Sequence, residues 1–140
     1  MNYEYKVTKG ITEDVKKIRI EVFVDEQKFV DEFDEFDETS THIGFYHNGE
    51  IIAICRFFPY DNNGTYKLGR IAVKKSYRGK NVGRFVIETA EKEIKKLGGT
   101  SLKLGAQTRA QGFYEKCGFT AYGEVYKEEY CDHIMMTKNL

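Results

Sequence analysis

The chain of 140 residues has the length of one domain and is long enough to bury a core of its own. Hydrophobic residues make up 41% of it and aromatic residues 14%, with ten Phe and ten Tyr, which excludes an intrinsically disordered chain. Lys and Arg together number 22, as do Asp and Glu, so no field of the whole molecule attracts nucleic acid or an anionic membrane.

The N-terminal part of the chain predicts a strand followed by a helix. Its first ten residues, MNYEYKVTKG, contain no apolar run of the kind found in a secretory signal, and YEYKVT within them alternates as a strand does. Thr12 is suited to cap a helix whose first turn is acidic. Val15, Ile18 and Val22 recur at spacings of three and four, which gives that helix one apolar face.

An acidic segment separates this helix from the next strands. Between Asp25 and Glu38 the chain has eight acidic residues against one basic residue, and its apolar residues follow no clean period. We therefore expect irregular or short-helical structure there. The sequence THIGFYHNGEIIAICRFFPY, residues 41–60, predicts a hairpin of two strands. Its turn falls at Asn48 and Gly49, because this pair suits a tight turn that needs positive φ.

The second half of the chain predicts three further strands and two helices. A turn at residues 62–64 precedes a strand in TYKLGRIAVK, and the helix that follows is closed by Gly98 and Gly99. SLKLGAQ predicts the next strand, TRAQGFYEKCGF a short helix that ends at Gly118, and the remainder two strands around an acidic turn. The longer helix has an expected apolar face of Val82, Phe85, Val86, Ala90, Ile94 and Leu97.

The order β-α-irregular-β-β-β-α-β-α-β-β predicts an α/β fold, more narrowly α+β, with one mixed sheet flanked by helices. The chain has no repeat, no linker and a single proline, Pro59, so we expect one domain over residues 1–140. No apolar run approaches the length of about 20 residues that a bilayer requires. The odd number of cysteines, at positions 55, 117 and 131, and their lack of metal-binding spacing favour a cytoplasmic protein with reduced thiols and no metal.

The stretch YRGKNVG, residues 77–83, lies at the corner between a predicted strand and a predicted helix. A helix N-terminus has unpaired N–H groups and a positive dipole end, and Gly79 and Gly83 let the backbone approach a ligand. The corner lacks both G-x-x-x-x-G-K-[ST] and G-x-G-x-x-G, yet it suits a multiply charged phosphate ligand; a tight turn with solvated lysines is the alternative. Residues 68–84 include no acid and six bases: Arg70, Lys74, Lys75, Arg78, Lys80 and Arg84.

This corner resembles the acyl-CoA pyrophosphate loop of the GNAT acetyltransferase superfamily, whose usual pattern is [QR]-x-x-G-x-[GA]. Arg78 and Gly83 fit the pattern, and Asn81 stands where the middle glycine is usual. Asn tolerates the left-handed backbone better than most non-glycine residues, so we expect the loop to form.

A second family motif follows at the expected distance. The family often has N-x-x-A-x-x-x-Y running into Y-x-K-x-G-F, and QTRAQGFYEKCGF supplies Gln107, Ala110 and Tyr114 in the matching places. Gln107 departs from the usual Asn by one methylene. The segments RIEVFVDEQ, DEFDEFD, GRIAV and DHIMM, together with His42, resemble the small ElaA-like branch of the superfamily. The resemblance thus covers nearly the whole chain.

The resemblance implies a GNAT fold whose mixed sheet splays between its fourth and fifth strands, with acetyl-CoA as cosubstrate in that cleft. It implies that Val73 N–H stabilises the oxyanion and that Tyr114 protonates the departing thiolate, packing on the core being the alternative for Tyr114. The implied cofactor-binding residues are Ile71, Ala72, Val73, Arg78, Gly79, Lys80, Asn81, Val82, Gly83, Arg84 and Gln107.

The base and the acceptor contacts remain open among several residues. A lone histidine in a strand is more often a packing residue, which is the alternative for His42 and His133. Arg56 either meets a substrate carboxylate or pairs with Asp37. The acidic segment either attracts a cationic amine or is a solvated loop. The candidates on the acceptor side, most of which could also serve as the base, are Glu26, Asp37, His42, Arg56 and His133.

The function implied is transfer of the acetyl group of acetyl-CoA to a primary amine by direct attack in a ternary complex. The acceptor is a small molecule or a peptide, and homodimers are common in the family. Two other classes are a CoA-binding sensor or partner-binding domain without turnover, and a small RNA-binding module that uses residues 70–84. An intact Tyr114 argues against the first, and the neutral chain argues against nucleic acid as a partner.

Overall fold

The computed structural model describes residues 3–30 and 32–140, in which seven strands form one sheet with helices on its faces. The order of elements is the predicted one, so the mixed α/β fold is confirmed. The helices are α1 (Glu13–Arg19), which continues as a π-helix over Ile20–Glu26, α2 (Val82–Lys96) and α3 (Gln111–Lys116). The strands β1 to β7 are Glu4–Lys9, Thr41–His47, Glu50–Pro59, Thr65–Val73, Ser101–Gln107, Thr120–Glu128 and Cys131–Asn139.

The sheet has the order β1-β2-β3-β4-β5-β7-β6, in which only β4 and β5 run parallel among the described strands. These two strands pair at their N-terminal ends alone, from Thr65 opposite Ser101 to Lys67 opposite Lys103. Beyond Lys67 they separate, so the C-terminal half of β4 faces an open gap. This gap is where the candidate site lies.

The helices α1 and α2 cover opposite faces of the sheet. Four of the predicted residues of α2, including Val86 and Ile94, are buried in the larger core cluster, whereas the predicted Leu97 is exposed. The apolar face ends early because α2 stops at Lys96 and Gly98 then takes a φ of 88°. A smaller cluster on the other face joins α1 to β3 and β4 through Val15, Ile18, Val22, Ile54 and Ala72.

The predictions for the turn after β2 and for the acidic segment after α1 have different outcomes. The turn between β2 and β3 is confirmed, with φ of 52° at Asn48 and 80° at Gly49. The acidic segment is more helical at its start than we expected, because Ile20–Glu26 is a π-helix that buries Val22 and Phe23. Its i→i+5 hydrogen bonds break the 3.6-residue period on which helix prediction relies. Asp31, one of the eight acids, lies outside the described residues.

A buried ion network joins the acidic segment to the sheet; its members are Arg19, Glu32, Asp34, Asp37, Arg56 and Arg70. Arg19 is fully buried, and its Nε lies 2.7 Å from Glu32 Oε2 while its Nη1 lies 2.5 Å from Asp37 Oδ1. Its guanidinium also stacks over Phe33, 4.7 Å from the ring centre. Burial raises the pKa of Glu32 even though Arg19 lies beside it.

The other two arginines extend the network onto β3 and β4. Arg56 Nη1 lies 2.6 Å from Asp34 Oδ1 and 2.8 Å from Asp37 Oδ1. Arg70 Nε lies 2.6 Å from Glu32 Oε1. Arg70 also has a φ of 50°, at the point where the register between β3 and β4 shifts. Its side-chain bonds therefore hold a β-bulge whose left-handed backbone costs roughly 1–2 kcal/mol for a non-glycine residue.

We predict that Asp37 makes the stability of the fold depend on acid pH. Burial acts to raise its pKa, but hydrogen bonds from Arg19, the Asp34 N–H and Arg56 lower the pKa from 3.8 to about 2. Because the folded-state pKa is the lower one, the stabilisation is complete above pH 3.8 and is lost as the pH falls toward 2. It corresponds to about 2 kcal/mol in the free energy of unfolding.

Urea unfolding of the wild type and of Asp37→Asn, between pH 5 and about pH 2, measures this contribution. The wild type should lose about 2 kcal/mol more than the variant over this range, whatever the absolute stability of the variant. Asp25→Asn, which changes an exposed residue of the same segment, should keep the wild-type slope. Equal slopes in the wild type and Asp37→Asn would contradict the prediction.

Candidate functional site

Two cavities flank the C-terminal end of β4. The larger, called the cleft below, has a volume of about 640 Å³ and lies in the gap between β4 and β5. The smaller, called the loop cavity, has a volume of about 360 Å³ and lies against residues 77–83, called the glycine loop, at the start of α2. Of the three predicted contacts on β4, Ile71 lines the cleft, Val73 lines the loop cavity and Ala72 is buried under α1.

The glycine loop has the backbone that its family pattern requires. Asn81 has a φ of 63° and a ψ of 15°, the left-handed conformation that glycine adopts most easily, and Gly79 has a φ of 77°. A Cβ at Gly83 would approach Phe113 Cζ to 3.1 Å, so this position needs a small residue for α3 to pack. The side chain of Asn81 does not cap α2, which leaves the N–H groups of the first turn facing the loop cavity.

Among the described residues, four of the six bases of this corner form ion pairs with acids. Arg78 forms a fork with Glu26, with N–O distances of 2.6 and 2.8 Å, and its Nε donates to Val73 O at 3.0 Å. The fork with Arg78 lowers the pKa of Glu26. Lys80 lies over the ring of Tyr77, 5.6 Å from its centre. Other ion pairs of these bases are Lys74–Glu50, Arg84–Glu88 and Arg70–Glu32.

The N–H of Val73 points into the gap between β4 and β5. Lys74 N donates to Ile52 O at 2.8 Å, so this pair of residues is hydrogen-bonded across β3 and β4. Hydrogen-bonded and non-hydrogen-bonded pairs alternate in an antiparallel ladder, and the next pair is Ala53 opposite Val73. Val73 N–H and C=O therefore point away from β3, consistent with the contact between Arg78 and Val73 O.

Tyr114 lies at α3 and lines the cleft. Its ring is half-buried and packs edge-on against Phe113 and Phe119, with ring centres 5.1 and 5.9 Å away. Burial raises the pKa of Tyr114, so its hydroxyl is protonated at neutral pH. Both the core-packing role and a position in the cleft are therefore found for this residue.

His133 lines the cleft from β7 and has a defined tautomer in its neutral form. Its Nδ1 lies 3.1 Å from Cys131 O, and because a carbonyl oxygen only accepts, we assign the proton to Nδ1. Nε2 is then the basic nitrogen, 3.5 Å from Glu128 Oε2. The imidazole stacks on the ring of Tyr126. The hydroxyl oxygen of Tyr126 lies so close to Gly105 that a Cβ at this position would come within 2.4 Å of it.

The other acceptor-side candidates lie in or near the buried ion network. Arg56 lines the cleft, but of the two roles left open for it the structure shows the pairing with Asp37. His42 is buried, and its Nε2 lies 2.9 Å from Asp37 O. Burial lowers the pKa of His42. Glu26, Asp37 and His42 do not contribute to the lining of either cavity.

A strap at residues 27–30 links the acidic segment to the far side of the cleft. Gln107 Nε2 donates to Gln27 Oε1 at 3.0 Å, and the hydroxyl of Tyr130 donates to Gln27 O. Val30 N donates to Glu129 Oε1 at 3.1 Å. The sequence carries no signal for these contacts, because each joins residues at least 80 positions apart.

Sequence reasoning did not predict the ion pairs of Arg19, Glu32 and Arg70, although one signal for the first was available. Arg19 follows Val15 by four residues, so a basic side chain stands on the apolar face of α1 and needs an acidic partner when buried. The positive φ of Arg70 has no such signal, since it depends on the register of β3.

Over residues 3–30 and 32–140, no cluster of three or more His, Cys, Asp or Glu side chains is arranged to hold a metal ion. Cys55, Cys117 and Cys131 are free thiols. No helix in this part of the chain has the length and apolarity to cross a membrane.

The chain belongs to the acetyltransferase (GNAT) domain family, whose profile matches residues 11–140. The Bacillus subtilis protein YyaT is 36% identical over 145 residues, covering 100% of this chain and 97% of YyaT. Escherichia coli ElaA is 31% identical over 89% of this chain and 84% of its own length. The expected membership in an ElaA-like branch of the GNAT acyltransferases is thereby confirmed.

Solved structures agree with this assignment. The crystal structure of Escherichia coli ElaA has a TM-score of 0.85 and 27% identity over 98% of this chain and 99% of that one. An acyl-CoA N-acyltransferase from Pseudomonas aeruginosa has a TM-score of 0.86 and 28% identity, again covering 98% of this chain and 99% of its own. The fold is that of a GNAT acyltransferase.

We predict that the left-handed backbone at Asn81 sets the affinity of the loop cavity for phosphate. Asn81→Gly should bind acetyl-CoA at least as tightly as the wild type, because glycine adopts this conformation without strain. Asn81→Val should bind it roughly tenfold more weakly, since a branched residue there costs roughly 1–2 kcal/mol. Isothermal titration calorimetry of the two variants measures the difference, and equal affinities would contradict a role for the loop backbone.

Proposed function

We propose that the protein transfers the acetyl group of acetyl-CoA to a primary amine by direct attack in a ternary complex. The observation that carries this proposal is the glycine loop, left-handed at Asn81, next to the Val73 N–H that points away from β3, in a GNAT-family chain. The name of the related Pseudomonas aeruginosa protein, an acyl-CoA N-acyltransferase, supports an acyl-CoA cosubstrate.

The loop cavity would hold the pyrophosphate and the gap along β4 the pantetheine arm. The N–H groups of Gly79 and of residues 81–84 would line the former with positive partial charge, and Arg84 adds a full charge. Lys80 does not line this cavity itself but lies between two residues that do. Arg78 would orient the end of β4 through Val73 O while facing the same cavity. Gln107 offers a buried Oε1 without a partner among the described residues, which suits a pantetheine N–H.

The acyl transfer step would use groups on both sides of the gap, the Val73 N–H on β4 and the Tyr114 hydroxyl on α3. The amine nitrogen attacks the thioester carbon, and the carbonyl oxygen becomes an oxyanion that Val73 N–H stabilises. When the tetrahedral intermediate collapses, the C–S bond breaks and the C–N bond remains. The thiolate of CoA takes a proton from Tyr114, which its raised pKa keeps available at neutral pH.

His133 is our candidate for the base that takes the proton of the attacking amine. Its Nε2 is the basic nitrogen of a residue that lines the cleft. Asp37 has a pKa of about 2 and binds two arginines, and Glu26 is held in a fork by Arg78, so both are weak bases. His42 directs its Nε2 to a backbone carbonyl outside the cleft, where a supporting role fits better.

We also propose that the protein acts in the cytoplasm on a small-molecule or peptide amine. Free thiols at all three cysteines suit a reducing compartment. The bases of residues 70–84 are largely paired with acids, which weakens the case for nucleic acid as a partner.

Calorimetric titration of acetyl-CoA tests the proposed cosubstrate, with dephospho-CoA and ATP as comparison ligands. Acetyl-CoA should bind, and Arg78→Ala or Lys80→Glu should weaken binding roughly tenfold, since each removes or reverses a charge at the phosphate. Lys95→Glu, at the exposed far end of α2, is the matched control and should bind as the wild type does. Absence of binding to the folded protein would refute the proposal.

Steady-state kinetics tests the two proton-transfer roles. Tyr114→Phe and His133→Gln should each lower kcat about 10²–10⁴-fold, with little change in acetyl-CoA affinity, because each removes one acid–base group. Tyr5→Phe, on the edge strand β1, controls for loss of a phenol elsewhere. Wild-type kcat in Tyr114→Phe would rule out the acid role. Thioester hydrolysis without transfer to any amine would instead favour the sensor without turnover.

A further inference from the structure

The acids that line the cleft have partners within the protein. Glu32 and Asp34 bind arginines of the buried ion network, and Glu128 lies against His133. Glu129 accepts a hydrogen bond from the N–H of Val30. The negative charge of the acidic segment, which could have attracted a cationic amine, is therefore largely neutralised where it meets the cleft.

At the paired end of β4 and β5, by contrast, the cleft contains a positive charge, that of Lys67, which no acid neutralises among the described residues. Lys67 lines the cleft at the last paired position of β4, directly opposite Lys103 on β5. Like charges directly opposite each other destabilise a sheet. Within residues 3–30 and 32–140, Lys67 forms no ion pair with an acid. Lys103 instead lies over the rings of Tyr60 and Tyr122, at 4.9 and 5.3 Å.

The surroundings of Lys67 would strengthen its attraction for an anion. On its other side Lys67 is in register with Phe58 of β3, and Phe58 stacks on Phe36 with ring centres 4.6 Å apart. Both rings line the cleft. A charge beside apolar walls is screened less than one in open water, so a bound anion would interact with Lys67 more strongly there.

We propose that the acceptor carries an anionic group, a carboxylate or a phosphate, in addition to its reacting amine, and that Lys67 binds this group. The inference rests on the proposed function, because it assigns the Lys67 end of the cleft to the acceptor and leaves the Val73 end to the pantetheine arm. Lys67 precedes Val73, the proposed oxyanion donor, by six residues, at most roughly 20 Å along a strand. The anion and the amine of the acceptor are therefore separated by a spacer, as in an ω-amino acid, and polycations such as polyamines are disfavoured.

Kinetics with matched amines tests the acceptor class. We compare 5-aminopentanoate with pentylamine, and 3-aminopropyl phosphate with propylamine, so that the two arms separate carboxylate from phosphate recognition. The anionic member of one pair should have at least tenfold higher kcat/KM. Lys67→Gln should raise KM for that member about tenfold with kcat nearly unchanged, and should leave the matched amine without the anionic group unaffected. Lys67→Arg should keep the preference, and Lys95→Gln is the exposed control.

A binding measurement keeps the inference testable without turnover. The lysines are reductively methylated with a ¹³C label, the Lys67 resonance is assigned from its loss in Lys67→Arg, and pentanoate and propyl phosphate are titrated. One of these anions should shift that resonance saturably. No shift with either anion, or equal kcat/KM for the two members of both amine pairs, overturns the inference while acetyl-CoA binding still stands. Failure of acetyl-CoA to bind overturns the proposed function instead, so the two failures are distinguishable.

Discussion

The short pairing between β4 and β5 is the constraint on which the rest of the site depends. Three residue pairs, ending at Lys67 and Lys103, hold the two halves of the sheet together, and beyond them the strands diverge. The N–H and C=O groups at the end of β4, such as those of Val73, then face a gap instead of a neighbouring strand. Unpaired backbone groups are costly unless water or a ligand satisfies them, so an opening of this kind in a sheet is suited to bind an extended amide-bearing arm.

The buried ion network maintains this opening from the side of α1. Arg70 adopts a left-handed backbone at the bulge of β4, and its bonds to Glu32 offset the cost. Arg19 and Arg56 tie Asp37 to both α1 and β3. A buried ion pair is weak evidence for stability, because desolvation offsets most of the attraction. The network here fixes the position of the acidic segment, which forms one wall of the cleft. Its arginines also neutralise acids of that segment.

An ion pair joins the glycine loop to Glu26, the residue directly before the strap. Arg78 belongs to the loop and contacts Val73 O, while Glu26 ends the π-helix directly before Gln27, the first residue of the strap. Gln27 in turn contacts Gln107 and Tyr130 on the far side of the cleft. The strap, which forms a wall of the cleft, is thus linked to the glycine loop that would hold the pyrophosphate. The link consists of contacts between residues distant in sequence.

The sequence by itself determined the features that depend on neighbouring residues: the order of helices and strands, the turn at Asn48, and a glycine loop that tolerates Asn81. These follow from local backbone preference and from the period of apolar residues, both of which short windows of sequence contain. The family resemblance added the cleft and its two motifs.

Only the tertiary structure decided which charges remain available in the site. The bases of residues 68–84 looked unopposed in sequence, yet Arg78 and Arg70 pair with Glu26 and Glu32, 52 and 38 positions away. The π-helix and the bulge at Arg70 escaped prediction for a related reason, since each depends on what packs against it. Charge pairing between distant segments has no period and no local signature, so its outcome exists only once the fold brings those segments together.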